Sequence, residues 1–183
     1  MVWDQLLFVP LMLGVLALVP GTADACSIIK MYLEIDPQKK EIDFLPPDQP
    51  VVSVKSINRG RGPRRTEGRG AVMTSCDDIG SIGFEIGPVS DDLTKPAELG
   101  FLFQVVEGTL PSGLSVPAKP LVTISEKTEY GYYLHWTDGA TDDQEPFEFT
   151  LVVVAVDKAG NHSEESDPVT VRHPGSGSYL ERS

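Results

Sequence analysis

Arg59, Arg61, Arg64, Arg65 and Arg69 fall within the twelve residues RGRGPRRTEGRG from Arg59 to Gly70, with Glu67 the only acid among them, so the segment carries +4. Guanidinium groups clasp phosphate, sulfate and carboxylate oxygens in pairs, which makes this stretch the sharpest candidate for anion contact. No aromatic residue interleaves with the arginines, so a base-stacking platform for nucleic acid is not encoded. The plainer reading is a solvated loop that balances an acidic body. Residues 71–183 hold 6 basic and 19 acidic groups, net −13.

The acids gather at Asp77-Asp78, at Asp91-Asp92 and along Asp138 to Glu145, DGATDDQE. Loop carboxylates are the ligands Ca²⁺ prefers, but none of these stretches has the 1-3-5-12 spacing of an EF-hand. No metal site and no cofactor is expected on this pattern. The chain lacks a G-x-S-x-G elbow, H-E-x-x-H, a P-loop and G-x-G-x-x-G. His135, His162 and His173 are scattered, and none stands beside a nucleophile in sequence. Catalysis is not expected. Among the aromatics Tyr130, Tyr132 and Trp136 share one parity and Tyr133 the other, so Tyr133 is the candidate for a surface contact. Asn161-His162-Ser163 is an acceptor sequon, which would matter only in a eukaryotic secretory pathway.

Two cysteines are present, Cys26 and Cys76. In an oxidising compartment they pair most simply with each other. Such a bond closes a loop of about 50 residues, a constraint of ~4 kcal/mol in the chain-entropy model. The competing chemistry is diacylglycerol transfer to Cys26, as in bacterial lipoproteins. Ala23-Asp24-Ala25 departs from the usual lipobox, which has an aliphatic residue three before the Cys and a small one two before.

The compartment follows from the leader. Leu6 to Val19 is a 14-residue uncharged run, broken by Pro20-Gly21 and followed by Ala23-Asp24-Ala25. That is the pattern of a secretory signal peptide, and the run is short for a spanning helix. The n-region departs from the pattern in lacking Lys and Arg. A chain beginning at Cys26 would have 15 basic and 25 acidic residues. The whole 183-residue chain carries −12, which disfavours nucleic acid or an anionic membrane as main partner.

The elements that must position these groups read as strands. Apolar and polar residues alternate over Ile29–Asp36, and Val51 to Ile57 is β-branched. Ile82, Phe84 and Ile86 share a face, as do Tyr132, Leu134 and Trp136. Gly100 to Glu107, Leu121 to Ser125, Phe147 to Val156 and the pair Val169/Val171 complete the set, with Phe147–Val156 apolar enough to be central. Turn clusters separate the runs at Gly87-Pro88, Pro111-Ser-Gly113, Asp138-Gly139 and Ala159-Gly160-Asn161. Short strands with such punctuation predict an all-β protein, an antiparallel β-sandwich in which two sheets bury facing apolar rows.

The stretch FTLVVVAVDKAGNHSEESDPVTV, Phe149 to Val171, resembles the last two strands of a fibronectin type III-like or immunoglobulin-like module, through Ala155-Val156-Asp157, Ala159-Gly160-Asn161, Ser163 and Asp167-Pro168-Val169-Thr170-Val171. The Pro46-Pro47 to Ile57 run resembles the usual Pro-led first strand. The resemblance implies binding, spacing or adhesion rather than catalysis. The expected organisation is a signal peptide at 1–25, then an N-terminal strand segment at 26–45 tied by disulfide to the domain. The β-sandwich follows at 46–173 with its Arg-rich loop 59–70, and a flexible tail at 174–183. The expected role is a secreted or extracytoplasmic binding or structural module, its partner a protein or glycan, touching membrane only if lipidated at Cys26. The alternatives are an envelope lipoprotein or a secreted hydrolase accessory domain.

Overall fold

The computed structural model describes residues 31–60, 64–65, 71–72, 78–123, 131–138 and 144–176. Its strands are β1 (Val52–Asn58), β2 (Arg64–Arg65), β3 (Ala71–Val72), β4 (Ile79–Ile86), β5 (Gly100–Thr109), β6 (Gly131–Thr137), β7 (Phe147–Val156) and β8 (Val169–His173). Short 3-10 turns occupy Lys39–Glu41 and Pro96–Glu98, and no α-helix occurs among the described residues. The strands form two three-stranded antiparallel sheets, ordered β1-β4-β6 and β5-β7-β8, and a separate two-stranded ribbon, β2-β3.

Period-two patterning produces the core directly. Ile82, Phe84 and Ile86 of β4 and Tyr132, Leu134 and Trp136 of β6 are all buried on one face. They meet Phe101, Phe103, Phe147, Phe149, Leu151 and Val153 of the other sheet. Phe84 lies 5.2 Å from Phe103 between ring centroids, Phe101 5.0 Å from Tyr132, and Trp136 6.1 Å from Phe147 edge-on. Burying these aromatic bodies dominates the stability, at roughly 25 cal/mol per Å² of apolar surface. β7 is central, as its composition predicted, and its outward Val152, Val154 and Val156 are buried too.

Trp136 depends on a glycine opposite it. Gly80 is its register partner, and a Cβ there would sit 2.4 Å from the indole ring. The indole thus folds flat across a strand position that offers no side chain.

Two predicted strands are not formed over their described residues, 31–36 and 121–123. Over residues 31–36 the alternation is present, yet Met31 and Ile35 are exposed and only Leu33 is half-buried. This arm lies along the outside of the molecule. It is attached by a single Tyr32–Leu121 bridge and by Leu33 N–H to Pro120 O, Val122 N–H to Met31 O and Asp36 N–H to Lys158 O. In the second run, Leu121 alone makes bridges, to Tyr32 and Phe101, while residues 124–130, Tyr130 among them, lie outside the described set. Residues 1–30, where the signal segment is expected, residues 177–183 and both cysteines lie outside it as well.

Candidate functional site

Two polar clusters lie at strand ends, one just after β1 and one just after β7. The first is made by Arg59, immediately after β1. Its Nε and Nη2 donate to the two oxygens of Asp138 at 2.7 and 2.8 Å, and its Nη1 donates to Glu145 O at 2.9 Å. Its guanidinium carbon lies 5.9 Å from the Trp136 ring centre and 5.3 Å from that of Phe147. Asp138 also accepts Gly60 N–H, Trp136 Nε1–H and Gln144 Nε2–H. Five donors therefore converge on one carboxylate whose side chain is 4% exposed. Burial opposes the Asp138 charge, but the hydrogen bonds from Arg59, Gly60 and Trp136 outweigh it and hold the carboxyl below its usual range.

His173, the last residue of β8, closes this cluster. Its ring stacks on Phe147 at 6.0 Å, and its Nδ1 accepts Gly175 N–H and faces Arg59 Nη1 at 3.3 Å. Two donors on Nδ1 select the tautomer protonated on Nε2. Burial and then the Arg59 charge lower the His173 pKa, with Asp138 pulling the other way.

Arg59 is thereby corrected as an anion contact. Its guanidinium is 8% exposed and committed to Asp138, so it anchors the Arg-rich segment instead of presenting charge to a ligand. Beyond it, Arg64 and Arg65 form β2 and pair with Val72 and Ala71 of β3, so the insert contains an antiparallel ribbon. Arg61 and Arg69 lie outside the described residues. Asp138 leaves the Ca²⁺ candidates for the same reason as Arg59, since its oxygens are filled by donors. Glu145 Oε1 accepts Ser112 N–H.

The sequon is also corrected. Asn161 Nδ2 donates to Asp157 Oδ2 at 2.8 Å and to the carbonyls of Asp43 and Leu45. Ser163 is buried, and its Oγ accepts Ala155 N–H while donating to Glu164 O. Neither group is free to meet a glycosylating enzyme in the folded chain. The motif is structural: Ser163 and Ser166 side chains accept the N–H groups of Ala155 and Val153, continuing the edge of β7 where β8 does not reach. Tyr133 is placed as expected, exposed on the outer face of β6 beside His135, with ring centres 5.8 Å apart.

The second cluster was not legible in sequence. Asp43 in the N-terminal arm, Asp91 in the loop after β4 and Asp157 at the end of β7 each bring a carboxylate oxygen within 4.8 Å of the other two. Asp43 is 2% exposed and Asp157 fully buried. Asp157 uses its oxygens on Asn161 N–H and Nδ2–H, and Asp91 Oδ2 accepts Leu93 and Thr94 N–H. Asp43 Oδ2 and Asp91 Oδ1 are buried with no hydrogen-bond partner among the described residues. Burial, then the charges of Asp157, Asp91 and Asp92, push the Asp43 carboxyl above its usual range. The sequence singled out Asp91-Asp92 as an acidic cluster, but its meeting with Asp43 and Asp157 is a product of the fold.

Two clefts flank the first cluster. One of about 380 Å³ is lined by Asn58, Arg59, Gln144 and His173 among others, and one of about 670 Å³ by Phe147, Glu148, Arg172 and Pro174. Neither includes the three converging acids. Among the described residues no helix is long and apolar enough to cross a membrane. Compared with known proteins, the chain matches no family model, no curated protein and no solved structure.

Proposed function

We propose that the chain is an exported β-sandwich binding or structural module, of fibronectin type III-like or immunoglobulin-like kind, that presents loops from a stiff body and has no catalytic activity. Strand order supports the module type. Naming β1, β4, β5, β6, β7 and β8 as A, B, C, E, F and G gives sheets A-B-E and C-F-G, the immunoglobulin pairing without its D strand. The buried acids do not favour the hydrolase alternative, because Asp43 and Asp157 are closed to any substrate.

The observation that carries the reading is the Arg59–Asp138 clamp. It fixes the point at which the chain leaves β1 for the Arg-rich segment, in which Arg64 and Arg65 pair with β3. A loop positioned by a rigid scaffold binds with little ordering cost. The partner class is an anionic protein or glycan surface, sulfated glycan included.

Retention on immobilised heparin tests this. The Arg64→Ala/Arg65→Ala double variant is expected to elute at lower salt than wild type with an unchanged thermal midpoint. Equal elution of the two proteins would refute the anion contact.

A further inference from the structure

We infer that Asp43, Asp91 and Asp157 form a Ca²⁺ site that pins the N-terminal arm to the end of the sandwich. The inference stands apart from the ribbon and from any anionic partner. Three carboxylates with oxygens inside 4.8 Å carry up to −3 in a place that excludes water from two of them. Such charges remain together only if something positive joins them or a proton is added. The described cations nearby are directed elsewhere: Lys158 pairs with Glu98 at 3.3 Å, and Lys39 Nζ donates to Leu93 O. The protein's own donors satisfy Asp157 and one oxygen of Asp91. They leave Asp43 Oδ2 and Asp91 Oδ1, two buried acceptors with nothing to accept from.

The donor set selects the ion. All ligand atoms are hard carboxylate oxygens from three separate segments, with no His or Cys among them. That suits Ca²⁺, which tolerates irregular geometry and takes six to eight oxygens, better than Zn²⁺, which favours nitrogen and sulfur. Mg²⁺ demands a near-ideal octahedron and keeps its water, which fits a dry triad poorly. Asn161 holds the frame: it donates to Asp157 and to the Asp43 carbonyl, joining the arm to β7 without a charge of its own. The ion would then cross-link the arm, the loop after β4 and the β7 turn.

Calorimetry and thermal unfolding of the full chain, stripped with chelator, test the site. Titration with CaCl₂ is expected to show one ion per chain, with a Kd on the order of 10⁻⁵ to 10⁻³ M. At a hundredfold excess over Kd the midpoint should rise by about 5–10 °C. MgCl₂, and NaCl at matched ionic strength, should produce a smaller shift. Asp91→Asn keeps an oxygen for Leu93 and Thr94 N–H and removes one charge. Its metal-free midpoint is expected at or above that of wild type, with no response to Ca²⁺. A wild-type midpoint unmoved by Ca²⁺ but raised by mild acid would overturn the site in favour of a shared proton. An Asp91→Asn protein that keeps the full Ca²⁺ response would overturn it as well.

Discussion

At the residue scale, the most consequential contact is between two groups 79 residues apart, Arg59 and Asp138. Their charges are buried, so the attraction is not an exposed pair worth tenths of a kcal/mol. Removing one partner strands the other. Arg59→Ala is expected to cost about 3–5 kcal/mol in urea unfolding. Lysine at the same place would not restore it, because an ammonium cannot serve both Asp138 oxygens and the Glu145 carbonyl while lying over Trp136 and Phe147. The same cluster sets a pH dependence. His173 has a lowered pKa in the folded state, so the unfolded chain binds its proton more readily. Its contribution is complete above the unfolded value of about 6.5 and is lost as pH falls through the lower folded value. Asp138, also lowered, contributes above about 3.8 and fails only in stronger acid. Denaturant midpoints for wild type should therefore fall between pH 7 and 5. A His173→Phe variant should show a shallower decline over that interval. The arginine was visible in the sequence as a member of a basic run, but its separate fate was not. Nothing local in the sequence singles out Arg59; β1 ends at Asn58 and delivers the next side chain onto Trp136.

At the element scale, alternation was a good guide where a strand had a partner sheet to face. β4 and β6 show this: Ile82, Phe84 and Ile86, and Tyr132, Leu134 and Trp136, are buried. The same alternation misled over residues 31–36, because a period of two describes the backbone and not what lies opposite. That arm has no strand beside it beyond one bridge, and Met31 and Ile35 stay exposed while Leu33 is only half-buried. The loop after β7 was legible as a motif but not as a device. Ser163 was named from the motif and Ser166 was not, and the structure gives both the same part, their hydroxyls standing in for a missing strand. β5 is an edge strand, and its register slips between Val105 and Glu107, which twists an exposed apolar edge away from self-pairing. Glycine supplies a sharper test of an element. Any Cβ at Gly80 meets the Trp136 indole well inside contact distance. Gly80→Ala should therefore destabilise by about 1–3 kcal/mol, the range for overpacking a filled core. Near-ultraviolet circular dichroism should show an altered tryptophan signal. An unchanged midpoint would mean that the indole does not lie across β4.

At the scale of the whole molecule, two sheets, a clamp at one end and an acidic triad at the other make one body from segments that are far apart in the chain. The sheet class was legible, because only facing layers can bury so many single-sided rows. The clamp and the triad were not, since each depends on which loops the topology brings to the same end. These ends are locked into the same cooperative unit as the core. Native-state hydrogen exchange across a low-denaturant series measures this directly. The amides of Gly60 and Asp138, bonded across loops, and that of Asn161, bonded to Asp157 Oδ1 in the β7 turn, are expected to open together with those of β4 and β7. Exchange of those three amides at a much lower free energy than the strands, independent of denaturant, would contradict it.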